Sequence, residues 1–272
     1  MHRHVLVVSQ VPWQGDISGG LLVGNTTWHF FTSCSGGWCH LSSTDLCHWQ
    51  SHGIIVARSS ASFPGKLSLG TGSVLPSPAN DGSILGWVNN VAGHMVSIDG
   101  MKTWTAVKTA TTGSPGGRDQ ARPLQSADGT WFQMMGAANK GAAAVASFRS
   151  TDPKTLSSWS FDGFLFTKNE TNYGYPVDFY EVPDFYPLSN TDAGVTKHVL
   201  VVDPWGADHG SHVHNVEWHV GDWSPDGTAF TPTSTGLFDY GWWYAARSLS
   251  DGTNTGRRLM LGNIGSDVTH GA

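Results

Sequence analysis

Three acidic residues lie in local sequences that could support catalysis. Asp16 stands among nearby glycines, which would let a ligand approach the backbone closely. Asp119 follows Arg118, whose guanidinium group favours the ionised form of a neighbouring carboxyl. Glu181 lies within an aromatic stretch, residues 178–187, which would exclude water and raise the pKa of its carboxyl toward that of a general acid.

These three side chains match the chemical requirements of one reaction class. A retaining glycosidase needs one ionised carboxylate, one carboxyl that can hold a proton, and further groups that grip the substrate. In the alternative interpretation, Asp16 and Asp119 are turn residues and Glu181 is a hydrogen-bonded strand residue, since most acidic residues do no catalysis. The catalytic interpretation requires a fold that brings three distant segments together.

A tryptophan repeat indicates such a fold. Trp49, Trp104 and Trp159 stand 55 residues apart, and each ends a similar phrase that begins with Ser and Asp. This period, with no helical pattern between the tryptophans, is typical of β-propeller blades. Short runs of β-branched and aromatic residues, separated by Gly, Asn, Asp and Ser turns, predict strands throughout. We predict an all-β fold, a single five-bladed β-propeller over residues 1–272, in which the three tryptophans are structural.

The composition limits the possible partners. The formal net charge is −6 and only 13% of the residues are charged, with no run of Lys and Arg. Phosphate binding requires such basic clusters, so we expect no nucleic-acid partner. No apolar run has the length of a membrane span, and residues 5–8 suggest a first strand rather than a signal peptide. The 34 Gly and 13 Trp suit a turn-rich β protein with aromatic surfaces for carbohydrate.

The cysteines and histidines do not follow a known metal-binding pattern. Cys34, Cys39 and Cys47 include no Cys-x-x-Cys phrase, so one disulfide with a free thiol and three buried thiols both stay possible. A histidine-rich segment also lacks a known ligand spacing, and we predict no metal site. Its residues are His209, His212, His214 and His219, with Asp208 and Glu217.

Several phrases, in the same order along the chain, resemble glycoside hydrolase family 32, the invertase, inulinase and levanase group. The phrase from Trp38 to Trp49 is similar to the family's Trp-Gly-His phrase that ends in Asp-Leu-x-His-Trp. Arg118-Asp119 resembles its Arg-Asp-Pro motif, and Glu181-Val182-Pro183-Asp184 resembles its Glu-Cys-Pro-Asp motif. Residues 238–241, 244–246 and 256–258 resemble the phrases that close the propeller in that family.

The resemblance implies roles for individual residues. Asp16 would be the nucleophile and Glu181 the acid/base, while Asp119 would hold fructose hydroxyls and stabilise the transition state. The implied reaction is retaining hydrolysis of a β-fructofuranoside, sucrose or a fructan, through a fructosyl-enzyme intermediate and without a cofactor. The residues expected to bind the substrate are Trp13, Gln14, Trp38, Ser73, Arg118 and Trp205.

The chain departs from the family pattern around each motif. Gly15, Ile17 and Ser18 replace Asn, Pro and Asn beside Asp16, so some partners that would orient the nucleophile are expected to be missing. Gln120 replaces a Pro and Val182 replaces a Cys. The aromatic residue expected before Ser73 is absent, and the sequence ends where the family continues into a β-sandwich, so we expect the propeller alone.

Two other functions remain compatible with the sequence. One is a carbohydrate-binding propeller that keeps the carboxylates as hydrogen-bonding groups without turnover. The other is a furanosidase propeller that cleaves arabinose or xylose linkages in the manner of family 43. The leading expectation is an extracellular or vacuolar β-fructosidase, and the sequence does not indicate its oligomeric state.

Overall fold

The structure is a computed structural model built from strands and the turns that join them. It describes residues 15–57, 70–89, 93–108, 110–171, 174, 176–190, 194–206, 211–212, 216–238, 243–251 and 257–264. The predicted strand at residues 5–8, together with Trp13 and Gln14, lies outside these ranges. No helix occurs within them, so no helical segment there has the length and apolarity that crossing a membrane would need.

The first two sheets are four-stranded antiparallel meanders in which each strand pairs with the next. The first consists of β1 (Ile17–Val23), β2 (Thr27–Cys34), β3 (Gly37–Ser43) and β4 (Gln50–Ala57). The second consists of β5 (Gly72–Pro76), β6 (Ile84–Val88), β7 (Gly93–Ser97) and β8 (Thr105–Lys108).

The third sheet has the order β10-β11-β12-β13-β9, and its outermost strand β9 runs parallel to β13. Its strands are β9 (Ala110–Thr112), β10 (Leu124–Gln125), β11 (Trp131–Asn139), β12 (Ala142–Ser150) and β13 (Ser158–Lys168).

The fourth sheet has the order β14-β15-β17-β18, with the short strand β16 also paired to β15. Its strands are β14 (Phe179–Asn190), β15 (Val195–Gly206), β16 (Ser211–His212), β17 (Glu217–Trp223) and β18 (Phe230–Leu237). In the described residues the fifth sheet has two strands, β19 (Trp243–Ser250) and β20 (Arg258–Ile264).

The sheets close into a ring around an axis. Strand β1 neighbours both β5 and β19, while β14 neighbours β11 and β19. The side-chain amide of Asn263 donates a hydrogen bond of 3.2 Å to the carbonyl of Gly15, which joins the last strand to the first. The predicted all-β propeller is therefore confirmed, with four sheets of four or five strands and the two described strands of the fifth.

Strand β12 shows why neighbouring blades can pack closely. Residues Ala143 to Ala146 are completely buried, because this strand is covered on both faces. Next to it in β11, a Cβ atom on Gly136 would lie 2.1 Å from the carbonyl oxygen of Tyr180 in β14. Small residues thus set the spacing between the third and fourth sheets.

The repeated tryptophans join successive blades, which confirms their predicted structural role. Trp104 of the second blade packs edge-on against Trp38 of the first, with ring centroids 5.9 Å apart. Trp159 of the third blade packs against Trp87 of the second in the same manner, at 6.5 Å. Trp49 of the first blade lies in the core cluster that contains Leu249 of the fifth sheet.

Each repeated tryptophan comes after the same turn. Asp45, Asp99 and Asp152 each accept hydrogen bonds from backbone amides in the turn that follows them. The fourth blade has the same kind of turn at Asp226, where Phe230 takes the place of the tryptophan and packs against Phe185 at 5.3 Å. The sequence repeat missed this fourth copy because its aromatic residue is not Trp.

The cysteine alternatives are decided by the β2–β3 hairpin. Cys34 and Cys39 form a disulfide across its turn. Cys47 is a free, exposed thiol. Of the two arrangements that the sequence allowed, the structure has one disulfide and one thiol.

Candidate active site

Irregularities in the innermost strands mark the candidate site. The pairing register shifts between Ile17 and Gly20 in β1, between Glu181 and Asp184 in β14, and between Tyr244 and Arg247 in β19. Such β-bulges bend a strand and re-aim its side chains, and they are common beside active sites. Three residues near these positions have left-handed backbone angles, with φ of 65° at Asp119, 45° at Val182 and 54° at Ala245. This conformation is costly for residues other than glycine, so surrounding contacts must hold it at each of these three positions.

Asp16 is held at the boundary between the first and second blades. The hydroxyl group of Thr32 donates a hydrogen bond of 3.1 Å to the backbone carbonyl of Asp16. The hydroxyl group of Thr71, next to β5, donates a short hydrogen bond to Oδ2 of the Asp16 carboxylate. Asp16 is half-buried. The expected loss of orienting partners is therefore offset by Thr71, which the sequence did not identify.

Asp119 is buried and surrounded by hydrogen-bond donors. Its Oδ1 accepts a short hydrogen bond from the side-chain amide of Asn89, whose own oxygen accepts the Asp119 backbone N–H. Its Oδ2 accepts the backbone N–H of Val182 at 3.0 Å and lies 3.8 Å from Nε of Arg118. The bond from Val182 ties Asp119 to the residue that follows Glu181.

Glu181 is also buried, and both of its carboxylate oxygens have charged or polar partners. The hydroxyl group of Tyr244 donates a hydrogen bond of 2.7 Å to Oε2. The Arg118 guanidinium forms a close ion pair with Oε1. Arg118 itself lies over the rings of Phe179 and Trp205, at 4.9 and 4.8 Å from their centroids. These stacked rings fix the direction of the guanidinium group.

Arg247 braces the backbone that carries two of the three carboxylates. Its side chain is fully buried and donates hydrogen bonds to the carbonyl of Pro183 and, at 3.2 Å, to that of Asp119. Burial lowers the pKa of this guanidinium, and the nearby carboxylates, led by Asp184, raise it. Asp184 in turn accepts hydrogen bonds from the backbone and hydroxyl groups of Ser248, so the fourth and fifth sheets are joined at the axis.

A fourth carboxyl group, Asp203 in β15, lies beside these residues. It is paired across the sheet with Glu181, and its Oδ2 accepts the backbone N–H of Ala245 at 3.0 Å. Burial raises the pKa of Asp203 well above its usual value, and the negative charge of Asp16 raises it further. The sequence analysis missed this residue, because Val-Val-Asp-Pro at the end of a strand has no catalytic signature.

The predicted catalytic residues Asp16, Asp119 and Glu181 thus come from three different blades and are linked through shared neighbours. Of the predicted substrate-binding residues, Arg118 and Trp205 lie beside Glu181 and Ser73 is buried, donating to the carbonyl of Ala121 at 3.0 Å.

The structure places Trp38, another predicted substrate-binding residue, in the core. Its ring is fully buried between Phe31, at 4.7 Å, and Trp104, so neither face is open to a sugar. Trp38 is instead part of the core between the first two blades.

The residues that the sequence analysis missed are mostly uncharged or distant in sequence from the motifs. Tyr244 was noted only as part of a phrase that closes the propeller, although its hydroxyl group reaches Glu181. Asn89 stands at the end of β6 with no motif around it. The signal that could have identified these residues is the presence of polar side chains at strand ends that face the axis. Recognising it requires knowledge of the order of the sheets, which the sequence does not provide.

No metal-binding group is formed by the residues that the structure describes. Asp208, His209 and His214 lie outside those ranges, as does the side chain of His212. His219 is buried and its Nε2 lies 3.5 Å from Glu217, while its Nδ1 is 2.9 Å from the hydroxyl of Thr235.

Comparison with solved structures shows the same fold in sugar-processing enzymes. Fructan 1-exohydrolase IIa from Cichorium intybus superimposes with a TM-score of 0.72 at 18% identity, covering 94% of this chain and 52% of that one. A β-fructofuranosidase from Bombyx mori gives a TM-score of 0.67 at 19% identity, covering 96% and 57%. The chain thus spans a little over half the length of these two enzymes.

An endo-arabinase from Bacteroides thetaiotaomicron also has this fold. It superimposes with a TM-score of 0.67 at 13% identity, covering 95% of this chain and 92% of the arabinase. A sequence search of curated proteins gave no match.

The sequence profile of the glycosyl hydrolases family 32 N-terminal domain matches residues 12–270, nearly the whole chain. That range includes all three carboxylates and the strands that position them. The chain therefore belongs to glycosyl hydrolase family 32.

Proposed function

We propose that the chain is a retaining glycoside hydrolase that cleaves β-fructofuranosidic bonds, with Asp16 as nucleophile and Glu181 as acid/base. The observation that carries this proposal is the convergence of Asp16, Asp119 and Glu181 from three blades. Each carboxylate is oriented by a donor from another part of the chain: Thr71, Asn89 and Tyr244 respectively. The turn carboxylates Asp45, Asp99 and Asp152 instead accept hydrogen bonds from donors within their own turns.

In the first step, Glu181 gives its proton to the glycosidic oxygen while Asp16 attacks C2 of the fructosyl unit. The C2–oxygen bond breaks, the leaving sugar departs as an alcohol, and a covalent ester joins Asp16 to the fructosyl group. Asp119 accepts hydrogen bonds from fructose hydroxyls, which strengthen as positive charge develops at C2.

In the second step, the Glu181 carboxylate removes a proton from water, and the resulting hydroxide attacks C2 and releases Asp16. The ion pair with Arg118 favours this ionised form of Glu181. The first step requires the protonated form of Glu181, so substrate binding has to weaken the ion pair with Arg118, whose side chain is 39% exposed.

The family and two of its structural relatives support the proposed substrate class. A fructan exohydrolase and a β-fructofuranosidase share the fold, so sucrose, inulin and levan are the first substrates to test. We also propose an extracellular or vacuolar location, which the Cys34–Cys39 disulfide supports because disulfides persist in oxidising compartments.

The test is fructose release from sucrose, inulin and levan, with linear arabinan as a further substrate. We expect release from at least one fructoside, and loss of that release by about three orders of magnitude or more in Asp16→Asn, because the nucleophile is removed. Asp222→Asn is the matched control, since Asp222 is an exposed carboxylate paired with Lys197 on the surface.

The outcomes separate the candidate functions. Equal activity in Asp16→Asn and the parent chain would overturn the assignment of the nucleophile. Arabinose release without fructose release would favour a family 43-like furanosidase, an outcome that the arabinase with the same fold makes worth testing. Sugar binding without turnover of any of the four substrates would favour a binding propeller.

A further inference from the structure

Asp203 is placed like a residue of the site rather than of the core. Its relative exposure is 3%, equal to that of Asp119 and close to the 4% of Glu181. It sits directly across the β14–β15 ladder from Glu181, at the position where the register of β14 shifts. Asp203 is therefore buried to the same extent as the carboxylates proposed to act on the substrate and is the cross-strand neighbour of one of them.

The two oxygens of Asp203 are in different situations. Oδ2 accepts the Ala245 N–H at 3.0 Å, as the carbonyl oxygen of a carboxylic acid would. Oδ1 is buried and has no hydrogen-bond partner among the described residues. A buried polar atom without a partner is costly, and in a cleft it commonly awaits a ligand or a water molecule.

The charges around Asp203 favour its protonated form. Burial raises the pKa of Asp203 well above its usual value; Asp16 raises it further, and Asp119 adds a smaller rise. The Ala245 N–H and the Arg247 guanidinium act in the opposite direction, as smaller effects than burial. These effects together favour the protonated form of Asp203, in which Oδ1 carries a proton that it can donate.

The site needs such a donor. A sugar hydroxyl both donates and accepts hydrogen bonds, and ionised carboxylates can only accept. Two nearby hydroxyl groups already donate their protons in hydrogen bonds, Thr71 to Asp16 and Tyr244 to Glu181. A protonated carboxyl that faces the same space would satisfy a sugar oxygen that these groups leave unpaired.

We infer that Asp203 is a fourth carboxyl group of the site, which acts as a neutral hydrogen-bond donor, through Oδ1, to a hydroxyl group of the bound sugar. This inference rests on the proposed function for the identity of the sugar. The role is in binding, so it affects KM and the affinity for free fructose more than kcat.

Two variants with branched side chains, one polar and one apolar, test the role. Asp203→Asn keeps a donor at one position and an acceptor for the Ala245 N–H, whereas Asp203→Leu removes both. We expect fructose affinity and KM in Asp203→Asn to stay within about threefold of the parent chain, and to weaken about tenfold or more in Asp203→Leu. Thermal unfolding establishes that both variants fold before these values are compared.

A pH series distinguishes this role from a structural one. The parent chain is expected to lose fructose affinity as the pH rises, because Asp203 ionises. In Asp203→Asn the residue cannot ionise, so the affinity should fall less over the same pH range. Infrared difference spectra at pH 6 should show the carbonyl stretch of a protonated carboxyl in the parent chain and not in Asp203→Asn. This spectroscopic measurement stands even if no fructoside is cleaved.

Three results would overturn the inference. These are absence of the infrared band, parental fructose affinity in Asp203→Leu, and an Asp203→Asn variant as impaired as Asp203→Leu. Failure of the proposed function has a different signature, namely no fructose release by the parent chain together with an intact infrared band.

Discussion

Tyr244 donates a hydrogen bond of 2.7 Å to Oε2 of Glu181, across the boundary between the fifth and fourth sheets. Burial raises the pKa of the phenol, and the negative charge of Asp16 raises it further, so the hydroxyl group keeps its proton. Because Arg118 holds the other oxygen, two donors from distant parts of the chain fix the orientation of one carboxyl group.

Replacing this phenol tests its role in orienting Glu181. We expect Tyr244→Phe to lower kcat by about 10- to 100-fold, which corresponds to the free energy of one hydrogen bond to a charged group. The alkaline limb of the pH profile should move to higher pH, since removing the donor disfavours the carboxylate. Kinetics against pH measure both effects. Tyr186→Phe, at a buried tyrosine outside the site, is the control and should retain the parental profile.

Asn89 offers a second test, because it pairs with both the backbone and the side chain of Asp119. Asn89→Ala leaves two buried polar atoms without these partners and should lower the free energy of unfolding by about 1–3 kcal/mol. Asn89→Asp should reduce kcat/KM further than Asn89→Ala, since it places a second carboxylate beside Asp119. Urea unfolding and steady-state kinetics provide the measurements, with exposed Gln50→Ala as control. Parental stability in Asn89→Ala would contradict the observed pairing.

Three histidines in the first sheet predict sensitivity to acid. His40 is buried, with Nε2 2.9 Å from Nδ1 of His29 and its ring stacked 4.4 Å from that of His52. Burial, then repulsion by His52 and by His29, lowers the pKa of His40 from 6.5 to about 3. Between pH 6.5 and about 3, the folded chain therefore binds fewer protons than the unfolded chain. The stability that depends on neutral His40 is fully present above pH 6.5 and is lost as the pH falls below that value.

His40→Phe keeps an aromatic ring and removes the titrating group. We expect the loss of Tm between pH 7 and pH 4 to be smaller in this variant, because one group contributes up to about 1.4 kcal/mol per pH unit. His48→Gln, at an exposed histidine paired with Asp45, should not reduce the loss. An identical pH dependence in His40→Phe and the parent chain would show that other groups control acid unfolding.

The aromatic residues between blades predict a graded series of stabilities. Trp159→Ala and Phe230→Ala should each lower the free energy of unfolding by about 3–5 kcal/mol, since both rings are buried between blades. Ile98→Ala, at a side chain that is 84% exposed, should change it by less than about 0.5 kcal/mol. Denaturant unfolding measures all three. A small effect of Phe230→Ala would show that the fourth blade lacks the equivalent packing role.

The propeller was predictable because its repeat is carried by single residues in short local phrases. The turn at Asp45, Asp99 and Asp152 uses hydrogen bonds within a few residues, so the same letters recur wherever the same turn forms. The tryptophan repeat could not be recognised in the sequence at Phe230, because packing at this position requires a large buried ring but not specifically Trp. Trp38 was predicted to bind the sugar for a related reason. The residue type does not show whether a tryptophan faces a ligand or lies in the core between blades.

The sequence by itself determined the fold class, the family and the three acidic motifs, because those depend on local turns and on phrases that stay contiguous. Only the tertiary structure decided which other groups meet them. Thr71, Asn89 and Asp203 come from three different parts of the chain, and Tyr244 and Arg247 flank the bulge in β19. Each meets the carboxylates at a strand end or at or opposite a bulge rather than through a motif. Closure of the ring brings these residues together and buries Asp203, and this burial raises the pKa of its carboxyl.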